Sequence, residues 1–123
     1  MVKLTTGVDL IEVARLERAI ERHGDRFLRR VFTRRELSLV GGKAASLAVR
    51  FAAKEAVGKA LCTGIGDIMW LEIEILHGPK KEPALTLHGN AKKLAEEKGL
   101  HTWSLSLSHT ATHAIAMVTA LGE

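Results

Sequence analysis

The centre of the chain has the sequence Phe51-Ala52-Ala53-Lys54-Glu55-Ala56-Val57-Gly58-Lys59. It contains no proline and many alanines, a composition that favours a helix. Four residues separate Glu55 from Lys59, which places a carboxylate and an ammonium on one helix face, one turn apart. The small residues around them predict that a bulky group can approach the helix closely.

A second acidic residue lies upstream in Gly7-Val8-Asp9, at the end of an apolar segment. Two hard carboxylates beside a cation suit a divalent ion that holds phosphate oxygens. Each motif also has a simpler interpretation. Asp9 is then the N-cap of the following helix, and Glu55 with Lys59 is an ordinary helix ion pair.

Length and composition limit the classes of protein to consider. The chain has 123 residues, 46% of them hydrophobic, so we expect one domain over residues 1–123. A chain of this size buries only about two-thirds of its unfolded surface, so self-association is expected. The single cysteine, Cys62, excludes an internal disulfide and fits a reducing compartment. No segment approaches the ~20 apolar residues of a membrane span, and no secretory signal is expected.

Positive charge is concentrated in one part of the chain. The formal net charge is +4, and residues 15–35 contain eight arginines against Glu17, Glu21 and Asp25. Arginine makes forked contacts with carboxylate and phosphate groups. This segment therefore predicts an acidic partner: a nucleic acid, an anionic lipid or an acidic protein. A solvated helix face is the simpler interpretation.

Apolar periodicity predicts an α+β fold. Helices are expected over residues 11–22, 25–32, 33–40, 43–61 and 90–98. Strands are expected over residues 3–8, 71–75, 84–88, 102–108 and 114–120. We expect a mainly antiparallel sheet with a long central helix and short helices packed on one face.

Several local details follow from the same pattern. Gly24 is expected to end the first helix in a left-handed conformation, and Asp25 to cap its successor. Thr33-Arg34-Arg35-Glu36 is a capping box. Glu72 and Glu74 alternate with apolar residues, which predicts a strand with one solvated face.

Two further motifs each allow two interpretations. Thr63-Gly64-Ile65-Gly66 is either a phosphate-binding loop or a plain helix exit, and Ser108-His109-Thr110 is either part of a site or a hydrogen-bonded strand end. Adjacent strand residues face opposite ways, so Ser108 and His109 are not expected to act as a nucleophile and its base. A single cysteine and the lack of a His-Glu-x-x-His motif make zinc chemistry improbable.

Taken together, Gly7-Val8-Asp9 and the central Phe-Ala-Ala-Lys-Glu-Ala-x-x-Lys motif resemble the 4′-phosphopantetheinyl transferase superfamily. The short length, Phe32-Thr33-Arg34-Arg35-Glu36, Gly64-Ile65-Gly66 and Ser108-His109-Thr110 resemble its small bacterial branch, the holo-[acyl-carrier-protein] synthases. The resemblance extends from Gly7 to about Ala120.

The resemblance implies a cytoplasmic homotrimer of α+β subunits with an active site at each subunit interface. It implies transfer of the phosphopantetheine arm of coenzyme A to a serine of an apo acyl carrier protein, with release of adenosine 3′,5′-bisphosphate. Mg²⁺ is the implied cofactor and coenzyme A the substrate. Fatty acid biosynthesis is the expected setting, although the sequence does not identify the carrier protein. Neither a nucleic acid nor a membrane is an expected partner.

The resemblance also assigns site residues. Asp9 and Glu55 match magnesium ligands, and Lys59 matches a catalytic lysine whose charge stabilises phosphate oxygens. The proton of the attacking serine goes either to Glu55 or to a metal-bound water. Positions that match contacts to the nucleotide and its 3′-phosphate are Arg50, Lys59, Gly64, Ile65, Lys81, Pro83, His109 and Thr110.

The arginine-rich helices offer a complementary surface for an acidic carrier protein. Arg15, Arg18 and Arg22 recur at i, i+3 and i+7 and form one stripe on the first helix. We expect this surface to take little part in coenzyme A binding. The predicted docking residues are Arg15, Arg18, Arg22, Arg26, Phe27 and Arg30.

Two positions depart from the resemblance: Cys62 stands where relatives often have glycine, and Glu82 where they usually have lysine or arginine. Two other functional classes remain open. A basic nucleic-acid-binding module without catalysis would need a stacking platform, but the chain has only five aromatic residues, mostly at apolar positions. A scaffold with a decayed site is disfavoured by the intact set of two acids and a lysine.

Overall fold

The computed structural model describes residues 1–63 and 65–123. The helices of these residues are α1 (Val13–His23), α2 (Asp25–Val31), α3 (Arg34–Val40), α4 (Ala44–Ala60) and α5 (Gly89–Glu97), and a 3₁₀ turn covers Trp70–Glu72. The strands are β1 (Lys3–Glu12), β2 (Ile73–His77), β3 (Pro83–Leu87), β4 (Leu100–His109) and β5 (His113–Gly122). Gly64, a predicted nucleotide contact, lies outside the described residues.

The strands form two antiparallel sheets. One has three strands in the order β1-β5-β4, and the other is the β2-β3 hairpin. The central helix α4 packs against β1 and β5. The predicted α+β class, with its antiparallel sheet and long central helix, is confirmed. Several boundaries differ from those predicted, and the largest shift is in β1, which continues to Glu12 rather than ending at Val8 because its pairing with β5 runs as far as His113. The strand predicted over residues 71–75 is β2, which begins only at Ile73, after the 3₁₀ turn.

Gly7 sets the distance between α4 and β1. A Cβ atom at residue 7 would overlap the main-chain oxygen of Ala56, so the two backbones meet without an intervening side chain. The small residues of α4 are buried in the core: Ala52, Ala53, Ala56, Gly58 and Ala60. The close approach predicted for these residues is therefore made by the chain's own sheet rather than by a separate group.

The two faces of the three-stranded sheet differ in exposure. On the face toward α4, β5 buries Ala114, Ala116, Val118 and Ala120. The opposite face exposes a set of large apolar side chains, Leu4, Val8, Leu10, Ile115, Met117 and Leu121. We call these six residues the outer apolar face. The predicted apolar strand over residues 114–120 is thus two-sided, with Val118 in the core.

The short helices follow local signals with two exceptions, at Gly24 and Asp25. Thr33 and Glu36 form the predicted capping box: Thr33 Oγ1 accepts the N–H of Glu36 at 3.1 Å, and Glu36 Oε1 accepts the N–H of Thr33 at 2.8 Å. Gly24 does end α1, but its φ of 56° and ψ of −136° lie outside the left-handed helical region. Asp25 does not cap α2, because Gly24 alone separates the two helices and Asp25 is already helical.

A buried ion pair joins α4 to the neighbouring elements. Lys54 and Glu36 are both fully buried, and Lys54 Nζ lies 2.8 Å from Glu36 Oε1. The ammonium also donates to the main-chain oxygens of Ile73 (2.6 Å) and Trp70 (3.0 Å), and Glu36 Oε2 accepts the N–H of Ile75 at 2.8 Å. Burial lowers the pKa of Lys54, and the charge of Glu36 opposes that change. This network fixes α3, α4, the 3₁₀ turn and β2 relative to one another.

Glu74 is buried, contrary to the solvated face predicted for this strand. Its carboxylate accepts a hydrogen bond from Thr33 Oγ1 at 2.6 Å and lies 3.1 Å from His88 Nε2 and 3.6 Å from Arg35 Nη1. Burial raises the pKa of Glu74, but the two hydrogen bonds and the charge of Arg35 outweigh it, so the pKa is lowered. The alternation of residues did not reveal that α3 packs over β2.

We expect Lys54→Met to lower the free energy of unfolding by about 3–5 kcal/mol, because it leaves the Glu36 charge buried without its partner. Lys92→Met, at an exposed position of α5, is the matched control and should change stability by less than about 0.5 kcal/mol. Urea denaturation at pH 7 measures both. Similar effects of the two substitutions would contradict the structural role of the ion pair.

Candidate active site

Asp9 and Lys59 meet where β1 passes the last turn of α4. Asp9 is opposite Ala116 on the sheet face that packs on α4. Lys59 Nζ lies 3.2 Å from Asp9 Oδ1 and donates to the main-chain oxygen of Val8 at 2.9 Å. The Lys59 side chain is 56% exposed, so this pair adds little stability and mainly orients the two groups.

Both simpler interpretations of the acids fail. Asp9 lies inside β1 and caps no helix, because α1 begins only at Val13, with Glu12 as its N-cap residue. Lys59 pairs with Asp9 across the two elements rather than with Glu55 along the helix. Asp9 is therefore not a helix N-cap, and Glu55 is not the partner of Lys59 in a helix ion pair.

Glu55 completes the cluster from the preceding turn of α4. Burial raises the pKa of the half-buried Glu55 carboxyl above its ordinary value of 4.5, and the charge of Asp9 raises it further. The indole of Trp70 and the charges of Lys59 and Arg15 oppose this rise. The carboxylate therefore faces both a second acid and two cations.

Trp70 is a residue of this cluster that sequence reasoning missed. Its ring packs on Phe51 with a centroid distance of 5.9 Å and an interplanar angle of 40°. The indole Nε1 is buried and has no hydrogen-bond partner of good geometry within residues 1–63 and 65–123. It lies close enough to Glu55 to lower the pKa of that carboxyl. No pattern in the sequence indicates this role, because an aromatic residue beside apolar ones is ordinarily part of the core.

The donor set fits a hard divalent ion. Asp9 and Glu55 offer oxygen ligands, and among the described residues no group of three or more histidine, cysteine, aspartate or glutamate side chains is placed to hold a metal ion by itself. Mg²⁺ keeps several waters and uses one or two carboxylates together with substrate phosphates. Two carboxylates at an open edge, next to a lysine, match that requirement.

Arg50 lies apart from this cluster in the single chain. Arg50 Nε donates to the main-chain oxygen of Ile75 at 3.2 Å, and Nη1 to that of Ser46 at 3.4 Å. Nine residues separate Arg50 from Lys59, which at about 100° per residue puts them on opposite sides of α4. Burial lowers the pKa of Arg50, and the charge of Glu36 opposes this.

The predicted contacts Lys81 and Pro83 belong to the β2-β3 hairpin. Lys81 has a φ of 62°, and its N–H donates to Gly78 at 3.0 Å, while Pro83 begins β3 opposite His77. The carboxylate of Glu82 accepts the N–H of Lys80 at 2.8 Å. Glu82 therefore closes the turn, which leaves both lysine side chains exposed.

The predicted contacts His109 and Thr110 lie at the β4-β5 turn. His109 is the last residue of β4 and sits opposite Ala114, two pairs along from the row that contains Asp9. Thr110 Oγ1 accepts the N–H groups of Thr112 (3.2 Å) and His113 (3.0 Å). This motif thus forms a hydrogen-bonded strand end, and both side chains remain exposed.

The loop after α4 contains the remaining predicted positions. Ile65 is half-buried and pairs with Ile68 in an isolated bridge. Cys62 is exposed and has a φ of 60°. A left-handed backbone favours glycine, which gives a physical reason for the glycine that the resemblance implies at this position.

The arginine stripe is exposed along its length. Arg15, Arg18 and Arg22 of α1 and Arg26 and Arg30 of α2 are all exposed, but Phe27 is partly buried against the core. Phe27 is therefore less available for docking than predicted. The other aromatic side chains are also buried or packed against the core, an arrangement that does not favour base stacking. Among the described residues, no helix is both long and apolar enough to cross a bilayer.

We expect Glu55→Gln to stabilise the metal-free protein at pH 7. The raised pKa means that the contribution of Glu55 to stability is fully present below pH 4.5 and is lost as pH rises through the folded-state pKa. Thermal unfolding in a chelator between pH 4 and 8 should show a higher midpoint for Glu55→Gln at pH 7 and a smaller difference at pH 4. A difference that grows as pH falls would contradict the assigned electrostatics.

Comparison with known proteins identifies the family. Residues 5–118 match the 4′-phosphopantetheinyl transferase superfamily. The chain is 46% identical to the holo-[acyl-carrier-protein] synthase of Herpetosiphon aurantiacus, covering 97% of this chain and 99% of that protein. It is 47% identical to that of Moorella thermoacetica, covering 98% and 94%. The crystal structure of the Helicobacter pylori synthase in complex with coenzyme A aligns with a TM-score of 0.86 at 37% identity, covering 94% of this chain and 98% of that one. The family indicated by the two sequence motifs is thus confirmed, and the chain belongs to the 4′-phosphopantetheinyl transferase superfamily.

Proposed function

We propose that this chain transfers the 4′-phosphopantetheine arm of coenzyme A to a serine of apo acyl carrier protein. The serine oxygen forms a bond to phosphorus, the bridging P–O bond breaks, and adenosine 3′,5′-bisphosphate leaves. The observation that carries this proposal is the meeting of Asp9, Glu55 and Lys59 at one edge of α4. The match to a superfamily that performs this transfer supports it.

Asp9 and Glu55 are the residues that would hold Mg²⁺. When bound, the ion would supply positive charge for the pyrophosphate oxygens of coenzyme A. Lys59 already holds Asp9 at 3.2 Å. Its exposed ammonium is also available to stabilise the negative charge that develops as the bridging bond breaks.

The serine must lose a proton as it attacks phosphorus, and Glu55 is one group that can accept it. Burial and the charge of Asp9 raise the pKa of Glu55 in the metal-free chain, and a higher pKa makes a carboxylate a stronger base. A bound ion would oppose that rise, so we propose that the proton goes either to Glu55 or to a water held by the ion. Lys59, as an ammonium, can only donate.

Asp9→Ala and Glu55→Ala should each reduce transfer by at least a hundredfold, because each removes an ion-binding oxygen and metal-stabilised charge supplies several kcal/mol in the transition state. Glu96→Ala, at an exposed position of α5, is the control acid and should retain parental activity. Mass spectrometry of an apo carrier protein after incubation with enzyme, coenzyme A and Mg²⁺ measures the gain of the arm. If the apo carrier protein gained no mass after incubation with the parent chain, the proposed function would be wrong.

The predicted nucleotide contacts support a site shared between subunits. Arg50 points to β2, on the far side of α4 from Lys59, and the hairpin with Lys81 lies beyond it. The outer apolar face contains large side chains that lie opposite each other on β1 and β5, such as Val8 with Met117 and Leu10 with Ile115. These side chains are exposed to solvent in the single subunit. We therefore propose a homotrimer in which one subunit supplies Asp9, Glu55 and Lys59 and its neighbour supplies Arg50. A closed ring with such head-to-tail contacts brings two different surface patches together at every interface.

Met117→Lys should dissociate the assembly, because it puts a charge in the centre of the outer apolar face. Sedimentation should then show monomers, and transfer should be lost. Leu39→Lys, an exposed leucine of α3, should change neither property. An active Met117→Lys monomer would rule out the shared site.

The exposed arginines of α1 and α2 are proposed to dock the acidic carrier protein. The structure changes one expectation, since the charge of Arg15 reaches Glu55 and substitution of Arg15 would disturb both substrates. Arg22, further along the exposed stripe, therefore gives the cleaner test.

Arg22→Glu should raise KM for the carrier protein by about tenfold or more, because it places like charges opposite each other. KM for coenzyme A should stay within twofold. Lys92→Glu on α5 repeats the charge reversal away from the stripe and should affect neither constant. If Arg22→Glu impaired coenzyme A binding but left carrier-protein docking normal, the arginine stripe would be a coenzyme A-binding surface and the docking proposal would be wrong.

We place this activity in the cytoplasm, in fatty acid biosynthesis, with Mg²⁺ as the preferred ion. The single exposed cysteine is compatible with a reducing compartment. The two-carboxylate donor set suits Mg²⁺ with substrate phosphates as further ligands.

A further inference from the structure

We infer that the indole N–H of Trp70 is a positioning group for Glu55. In the loaded site, it donates a hydrogen bond to one carboxylate oxygen and thereby directs the other oxygen toward the ion. The inference rests on the proposed function and adds a residue to the machinery that performs it.

The packing of α4 places the indole beside Glu55. Phe51 and Glu55 are one turn apart on α4 and share a face. The Trp70 ring packs on Phe51 with centroids 5.9 Å apart. On that face, the side chain that follows Phe51 toward the C-terminus of α4 is Glu55.

The hydrogen-bonding state of the indole points the same way. Nε1 is buried, and the described part of the chain provides it with no partner of good geometry. Buried donors are almost always paired, because an unpaired one forfeits its interaction with water. The Glu55 carboxylate is the acceptor at hand, since the indole already lowers the pKa of that group.

The main chain around Trp70 is fixed, so the indole is held in place. Lys54 Nζ donates to the Trp70 carbonyl oxygen at 3.0 Å, and the Met69 N–H donates to Glu72 Oε1 at 2.8 Å. Lys54 immediately precedes Glu55. One turn of α4 therefore anchors the backbone of Trp70 and presents the carboxylate to its side chain.

Glu55 gains from such a partner because the nearby ammonium of Lys59 is engaged elsewhere. Lys59 Nζ pairs with Asp9 and donates to the main-chain oxygen of Val8, and neither contact fixes the direction of the half-buried Glu55 carboxylate. Outer partners of metal-binding carboxylates fix the direction of the ligand oxygens, and removing one typically weakens metal affinity or activity about 10- to 100-fold.

Trp70→Phe tests the inference because it keeps an aromatic ring against Phe51 and removes only the N–H and the larger ring. Trp103→Phe is the matched control, since Trp103 lies on β4 and packs against the core. Transfer assays with Mg²⁺ titrated at saturating coenzyme A should show a half-saturating Mg²⁺ concentration at least tenfold higher for Trp70→Phe. KM for the carrier protein should not change, and Trp103→Phe should behave as the parent.

A second readout follows the N–H directly and does not need the Trp70 variant to fold. In ¹⁵N-labelled protein, comparison with Trp103→Phe assigns the two indole N–H signals. On addition of Mg²⁺ to the coenzyme A-bound protein, the Trp70 proton signal should move downfield, as expected for a new hydrogen bond, and that of Trp103 should not.

The outcomes separate the inference from the function. A static Trp70 signal, or parental Mg²⁺ dependence in a folded Trp70→Phe variant, would overturn the positioning role and leave the transferase proposal intact. Failure of the parent to modify any apo carrier protein would overturn the proposed function and the inference with it.

Discussion

The buried ammonium of Lys54 is the interaction on which the arrangement of this chain depends. A charge in the core is costly unless it is paired and fully hydrogen-bonded. Lys54 has three acceptors, one each from Glu36, Trp70 and Ile73. Only one rotation of α4 about its axis satisfies all three. Because Glu55 follows Lys54 and Lys59 lies one turn beyond Glu55, that rotation also decides which way the functional side chains point.

A second constraint, of shape rather than charge, brings β1 to the same helix. Gly7 lets the strand touch the backbone of α4 at Ala56, and strand alternation then puts Asp9 on the same face, two residues along. The side chain of Asp9 reaches Lys59 at 3.2 Å from there. The spacing of glycine and aspartate in Gly7-Val8-Asp9 thus has a direct physical meaning. The glycine lets β1 lie close to α4, and at that distance the aspartate side chain can reach Lys59.

The features predicted correctly from sequence are those that local chemistry decides. The central helix and the Thr33–Glu36 capping box depend on neighbours within one or two turns. Glu74 was predicted to be solvated because the pattern cannot show that α3 covers β2. Asp9 was placed at a strand end because pairing with β5 is a long-range property. The resemblance named the acids and Lys59, but only the structure shows that Lys59 pairs with Asp9 and that the indole of Trp70 lies near enough to Glu55 to lower the pKa of that carboxyl.

The same helix therefore carries both the stability of the fold and its chemistry, and the two make opposite demands on adjacent residues. Lys54 is stabilising because each of the three N–H groups of its ammonium has an acceptor. Glu55 is held beside Asp9 in a half-buried position where burial raises its pKa, so its ionised form is destabilising in the absence of a ligand. Such strain persists only where surrounding structure holds it in place. Here the Lys54–Glu36 network supplies that support, one residue away from Glu55. A substitution that weakened this network would therefore let the Glu55 carboxylate move away from Asp9 before it unfolded the protein.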